Sequence, residues 1–84
     1  WMRQLTMQQT SASLPTPRFV RLVLQEDLLG GWELIRETGQ AGGRSQVRRA
    51  LFLSRAQAVD AFEAARAEHA RRGFEVHGPH PDAA

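Results

Sequence analysis

Cysteine is absent from this 84-residue chain, which excludes a disulfide framework and any thiolate metal site. The absence fits a reducing compartment. No apolar run approaches the ~20 residues that a membrane-spanning helix requires. The opening WMRQLTMQQTSASLPTP also lacks the apolar segment of a signal peptide. A cytoplasmic protein without a membrane partner is therefore expected. Trp1 ahead of Met2 is unusual for a native start and marks either an excised fragment or a residue added at cloning. Lysine is missing as well, so all eleven basic residues are arginine. Nine acids reduce the formal net charge to +2, so bulk charge does not select a partner. The arginine bias has two readings. Guanidinium groups grip phosphate and carboxylate in a bidentate manner and stack on flat faces. A GC-rich genome would also give arginine, alanine and glycine throughout, as in AFEAARAEHARRG. The positions of the arginines therefore carry more weight than their number.

A chain of this length forms one small domain that buries roughly 60–65% of its unfolded surface. Residues 1–17 are polar, carry Pro15 and Pro17, and show no periodicity, so a flexible lead is expected there. Residues 18–25, RFVRLVLQ, alternate Val20, Leu22 and Leu24 onto one face and read as a strand. A turn follows at 26–31, where Leu28 and Leu29 are expected to fold back as a lid. The next strand, 31–37, puts Trp32, Leu34 and Arg36 on one face and Glu33, Ile35 and Glu37 on the other. A glycine loop spans 38–45. The third strand, 46–53, places Arg48, Ala50 and Phe52 on one face and Val47, Arg49, Leu51 and Leu53 on the other. Short connections make the three strands an antiparallel meander.

Ser54 and Gln57 form a capping-box pattern ahead of a helix. Ala58, Val59, Phe62 and Ala65 fall on one helical stripe, and Gly73 is a natural stop. Residues 74–76 are placed as a short edge strand or as a pin for the helix end, and 77–84 as a disordered tail. Phe19, Trp32, Leu34, Leu51, Phe52, Val59, Phe62 and Phe74 supply the expected core. The fold class is α+β, a small antiparallel sheet of three to four strands packed on one main C-terminal helix.

The order of these features resembles the WGR domain over residues 18–76. Phe19 opens a first strand, and Trp32 and Leu34 form a Trp-x-Leu strand. Gly39, Gly42 and Gln46 mark the loop, and Phe52 and Ser54 mark a strand end. A helix carrying Ala58 and Phe62 closes in Arg71-Arg72-Gly73-Phe74. WGR modules occur in poly(ADP-ribose) polymerases and in many bacterial proteins, some labelled molybdate metabolism regulators. In the polymerases the resemblance implies a domain that contacts damaged DNA through the Trp and Arg of a Trp-Gly-Arg triplet. Here the triplet reads Thr38-Gly39-Gln40, and Ser45 stands where a further glycine is expected. Thr38 cannot stack on a base, and Gln40 cannot neutralise a phosphate. The absence of one stack and one charge-assisted bond weakens binding on the order of a hundredfold.

Gln40, Arg44, Arg48, Arg49 and Arg55 are the candidate nucleic-acid-binding residues, because arginines beside a glycine loop can track a phosphate backbone. The competing reading is a solvated strand face paired across the sheet with Glu33 and Glu37. Trp32 alternates with Leu34, which favours the core over an exposed stacking platform. Gly39, Gly42 and Gly43 do not precede a helix, so turn geometry explains them more simply than an anion-binding nest. His69, His77 and His80 lack thiol or paired-carboxylate company, and no metal or cofactor is expected. On the helix, Glu63 is expected to pair with Arg66, and Glu68 with Arg71 or Arg72. No acid–base dyad and no nucleophile with an orienting base is present, so catalysis is not expected. Two functions follow. One is a non-catalytic module that contacts nucleic acid, with DNA ends or nicks as the partner. The other is a protein-interaction or regulatory module that kept the fold and lost DNA-end recognition. It would meet a protein partner or neighbouring domain through Leu28 and Leu29 or through a sheet edge.

Overall fold

Leu22 and Leu24, fully buried in the centre of the molecule, belong to the strand around which the fold is organised. The computed structural model describes residues 1–10 and 16–77. In chain order the elements are β1 Met2–Gln9, β2 Arg18–Glu26, β3 Trp32–Gln40, β4 Ser45–Phe52, α1 Arg55–Arg71 and β5 Glu75–Val76. The strands form one antiparallel sheet in the order β4-β3-β2-β1-β5. One helix covers one of its faces, so the α+β class holds, with five strands among the described residues rather than three or four.

The reading of residues 1–17 as a flexible lead fails for Met2–Gln9. This segment is a full strand paired to β2, with Leu5 opposite Leu22 and Met7 opposite Val20. Leu5 and Met7 are each 2% exposed. Glutamine-rich MRQLTMQQ has weak intrinsic strand preference, and tertiary pairing overrides it. Burial of those two side chains contributes roughly 1.5–3 kcal/mol each. Residues 11–15, with Pro15, and the tail at 78–84 lie outside the described residues.

The register fixes both faces. Toward α1 point Leu5 and Met7 of β1, Val20, Leu22 and Leu24 of β2, Trp32 and Leu34 of β3, and Phe52 of β4. Ala58, Phe62 and Ala65 meet them from the helix, with Trp32, Phe52, Val59 and Phe74 packed around this core. Leu51 does not join the core. It faces away from the helix and is 70% exposed. Phe19 is only half-buried, on that same outer face.

Local signals set the ends of α1. Ser54 accepts the Gln57 amide hydrogen at 3.2 Å as the N-cap. Gly73, with φ +91°, ends the helix and donates to the Ala70 carbonyl. The Phe74 amide bonds back to His69, and His77 donates to Thr6 at 2.7 Å, which ties β5 to β1. The leucines of the β2–β3 turn do not fold back. Asp27 Oδ1 accepts from the amides of Leu29 and Gly31, both at 2.8 Å. This holds the turn tight, and Leu28 and Leu29 point into solvent.

Candidate nucleic-acid interface

The helix starts beside the Trp32 end of the sheet and finishes beside Gln9, whose side-chain amide donates to the Arg72 carbonyl. That bond ties the helix end to β1. The helix-side surface of β3 and β4 near the glycine loop is thus left open, with Gln40, Arg44, Gln46 and Arg48 all exposed.

This open shelf is basic. Arg36 of β3 and Arg48 of β4 are direct cross-strand neighbours on it. Like charges placed opposite one another cost stability. One row further, Thr38 faces Gln46, and at the strand end Gln40 pairs with Arg18 of β2. Arg44 projects from the connecting loop. Among the described residues, Arg18, Arg36, Arg44 and Arg48 make no ion pair. The Arg36–Arg48 row stands about 13 Å from the Gln40–Arg18 row at ~3.3 Å per residue.

A cleft of about 420 Å³ closes the loop end of the shelf. Gln9, Arg18, Thr38, Gln40, Arg44 and Arg72 line it, and His69 and Phe74 add aromatic surface. His69 is buried, with Nδ1 2.8 Å from the Ala65 carbonyl and its ring edge-on to Phe74 at 5.2 Å. That carbonyl can only accept, so Nδ1 donates and the ring is held as part of the wall. Arg72 reaches Glu68 at 3.0 Å, the helical pairing expected from the sequence.

The glycine loop is built for turning. Gly43 donates to the Gln40 carbonyl at 2.9 Å across a four-residue turn, with Gly42 at φ +75° in its third position. Ala41 donates to the Pro17 carbonyl. Two of the loop amides are therefore engaged within the chain, which removes them from an anion nest. Gly39 answers a different demand. A Cβ there would collide with the Arg44 carbonyl oxygen, so β3 and β4 can close at this point only over glycine.

The sequence-derived candidates separate. Gln40 and Arg44 line the cleft, and Arg48 stands on the same shelf. Arg49 projects from the opposite face and is held by Glu33 at 2.7 Å. On that face Glu37 binds Arg21 at 3.4 Å and the Ser45 hydroxyl at 2.8 Å, so of the pairings expected between the two acids and the candidate arginines only Glu33 with Arg49 occurs among the described residues. Arg55 lies near the other end of β3, roughly 26 Å away along that strand at ~3.3 Å per residue. Its guanidinium sits 5.5 Å from the Trp1 ring centre. Trp1 in turn packs edge-on against Trp32 at 5.4 Å, and Trp32 is half-buried against the core rather than an exposed platform. Glu63 pairs with Arg66 as expected and with Arg3 as well.

Sequence reasoning missed Arg18, Arg36 and Arg72 as members of the site. The signal was present in part. Closing the β3–β4 hairpin on Gly39 opposite Ser45 places Arg36 opposite Arg48. The 27–31 turn then sets Arg18 opposite Gln40. Arg72 could not be found this way, because helix docking positions it rather than strand register.

Among the described residues, no three His, Cys, Asp or Glu side chains gather in a way that could hold a metal ion; His80 lies outside them. No described helix is long and apolar enough to cross a membrane. No curated protein and no solved structure matches the chain significantly. A family model described as the WGR domain matches residues 3–80, from inside β1 to beyond β5. The chain belongs to the WGR domain family, a non-catalytic module whose membership points in general to nucleic-acid binding.

Proposed function

We propose that this chain is a nucleic-acid-binding module whose contact surface is the helix-side shelf of Arg18, Arg36, Arg44 and Arg48, with Gln40 and Arg72 at its end. The observation that carries this reading is the Arg36–Arg48 pair. Two guanidinium groups oppose each other across β3 and β4, with no acid paired to either among the described residues. Such an arrangement costs the free protein stability and is relieved by an anion. A phosphate backbone supplies anions in a row.

The substituted triplet supports the same surface. Thr38 and Gln40 both line the cleft, where the family's aromatic and cationic side chains would stand. The cations here come instead from Arg18 on β2, Arg44 on the loop and Arg72 beyond the helix. Contact is therefore made chiefly to phosphate and not to bases, and binding depends steeply on salt. DNA with a nick or an end is the form that the family resemblance favours.

Fluorescence anisotropy with a nicked duplex tests the reading. Binding at low salt, abolished when Arg18 and Arg44 are both changed to Glu in a chain that remains folded by circular dichroism, supports it. Absence of binding at low salt, or equal binding by that variant, refutes it.

A further inference from the structure

We propose that the free edge of β4 accepts an extended, acidic segment of another protein as a sixth strand. The two edges of the sheet are treated differently. At one edge β5 is two residues long, and at the other β4 runs for eight. β4 contains no proline, and its pairing with β3 is unbroken from Gly39–Ser45 to Trp32–Phe52. Among the described residues its backbone makes no hydrogen bond beyond that ladder. Alternate amides and carbonyls along it therefore face outward, as in any antiparallel edge. Folded proteins commonly protect such an edge by shortness, proline, a bulge or charge. Charge is the device found on β4, and it has one sign. Arg48 and Arg49 lie on it, Arg44 precedes it, and it carries no acid.

Those charges exclude one occupant and describe another. Two copies of β4 paired antiparallel about their centres would bring Arg48 and Arg49 of each against those of the other, beside Arg36. A self-paired dimer is therefore disfavoured. An acidic strand meets the same charges favourably. Arg49 is already satisfied by Glu33, so Arg48 is the position that selects the acid. Arg36, Arg48, Leu34 and Ala50 help line a recess of about 190 Å³ at that point. On the outer face Val47 and Leu51 are 53% and 70% exposed, which gives the edge apolar contacts that a purely repellent edge would lack. A partner running antiparallel to β4 would read, opposite Leu51 through Val47: apolar, small, polar, acidic, apolar. The backbone ladder supplies affinity, and the acid supplies specificity.

The test uses the whole 84-residue chain and a synthetic peptide of about ten residues with Leu-Ala-Thr-Glu-Val at its centre. Amide hydrogen exchange followed by NMR should show alternate β4 amides slowed on saturation with the peptide. Replacing the peptide glutamate by lysine should weaken binding about tenfold, and Arg48→Glu should invert that preference. No binding at millimolar peptide would overturn the proposal, as would binding that leaves β4 exchange unchanged. It would equally fail if the chain self-associates through β4, or if an oligonucleotide slows those amides and the acidic peptide does not.

Discussion

Arg48 shows how a single side chain can work against the fold that carries it. It faces Arg36 across the strand pair on a surface where neither has an acidic partner among the described residues. Arg48→Ala should therefore raise the stability of the free protein by about 0.2–1 kcal/mol while weakening nucleic-acid binding. Urea titration and anisotropy on the same variant check both halves. Arg49 is the internal control. Its partner Glu33 has a largely covered side chain, 15% exposed, so Arg49→Ala should cost stability and leave binding unchanged. Gly39 is a residue of a different kind. With the Arg44 carbonyl oxygen in the space a Cβ would need, Gly39→Ala must push β3 and β4 apart at the loop. The expected cost is about 1–3 kcal/mol in urea denaturation. At this scale much was legible. Gly42 was recognisable as a turn glycine, and alternation assigned Arg48 and Arg49 to opposite faces; Gly39, read as part of the loop, instead lies inside β3 and is required by close approach of β4. What no single strand could reveal was which arginine would find an acid, because that depends on the neighbouring strand.

Among the elements, β1 separates the structure from the sequence reading most clearly. Three strands and the helix were visible in the alternation of 18–25, 31–37 and 46–53 and in the Ser54 cap. β1 was not, because only Leu5 and Met7 interrupt a glutamine-rich run. Its order comes from pairing with β2 and from the helix above it. Leu5→Ala should cost about 2–5 kcal/mol, whereas a flexible lead would leave stability unchanged. Thermal or urea unfolding decides between them. The same misreading hid one wall of the cleft, the one that Gln9 supplies. With β1 absent, β2 would be a sheet edge, and the cleft between Gln9, Arg18 and Arg72 would lack one wall. The helix end also depends on β1, through Gln9 and through the bond from His77 to Thr6.

Taken whole, the molecule has two unlike ends. Arg18, Gln40, Arg44 and Arg72 surround the cleft at one. Leu28, Leu29 and Leu53 stand exposed around the other, near Trp1 and Met2. A formal charge of +2 conceals this polarity. Glu33 and Glu37 of the outer face are matched with arginines, while the shelf keeps its charge. Composition could not disclose such a separation, because it results from pairing and helix placement. If the shelf is where nucleic acid docks, the salt dependence of binding to a nicked duplex must register its arginines. The double variant Arg36→Gln with Arg48→Gln should bind more weakly, and its log–log salt slope should be shallower by roughly two, about one for each phosphate no longer neutralised. Arg49→Gln should match the unsubstituted chain. Equal weakening by the shelf variant and by Arg49→Gln, or a salt slope that the double variant leaves unchanged, would show that nucleic acid does not dock on the shelf.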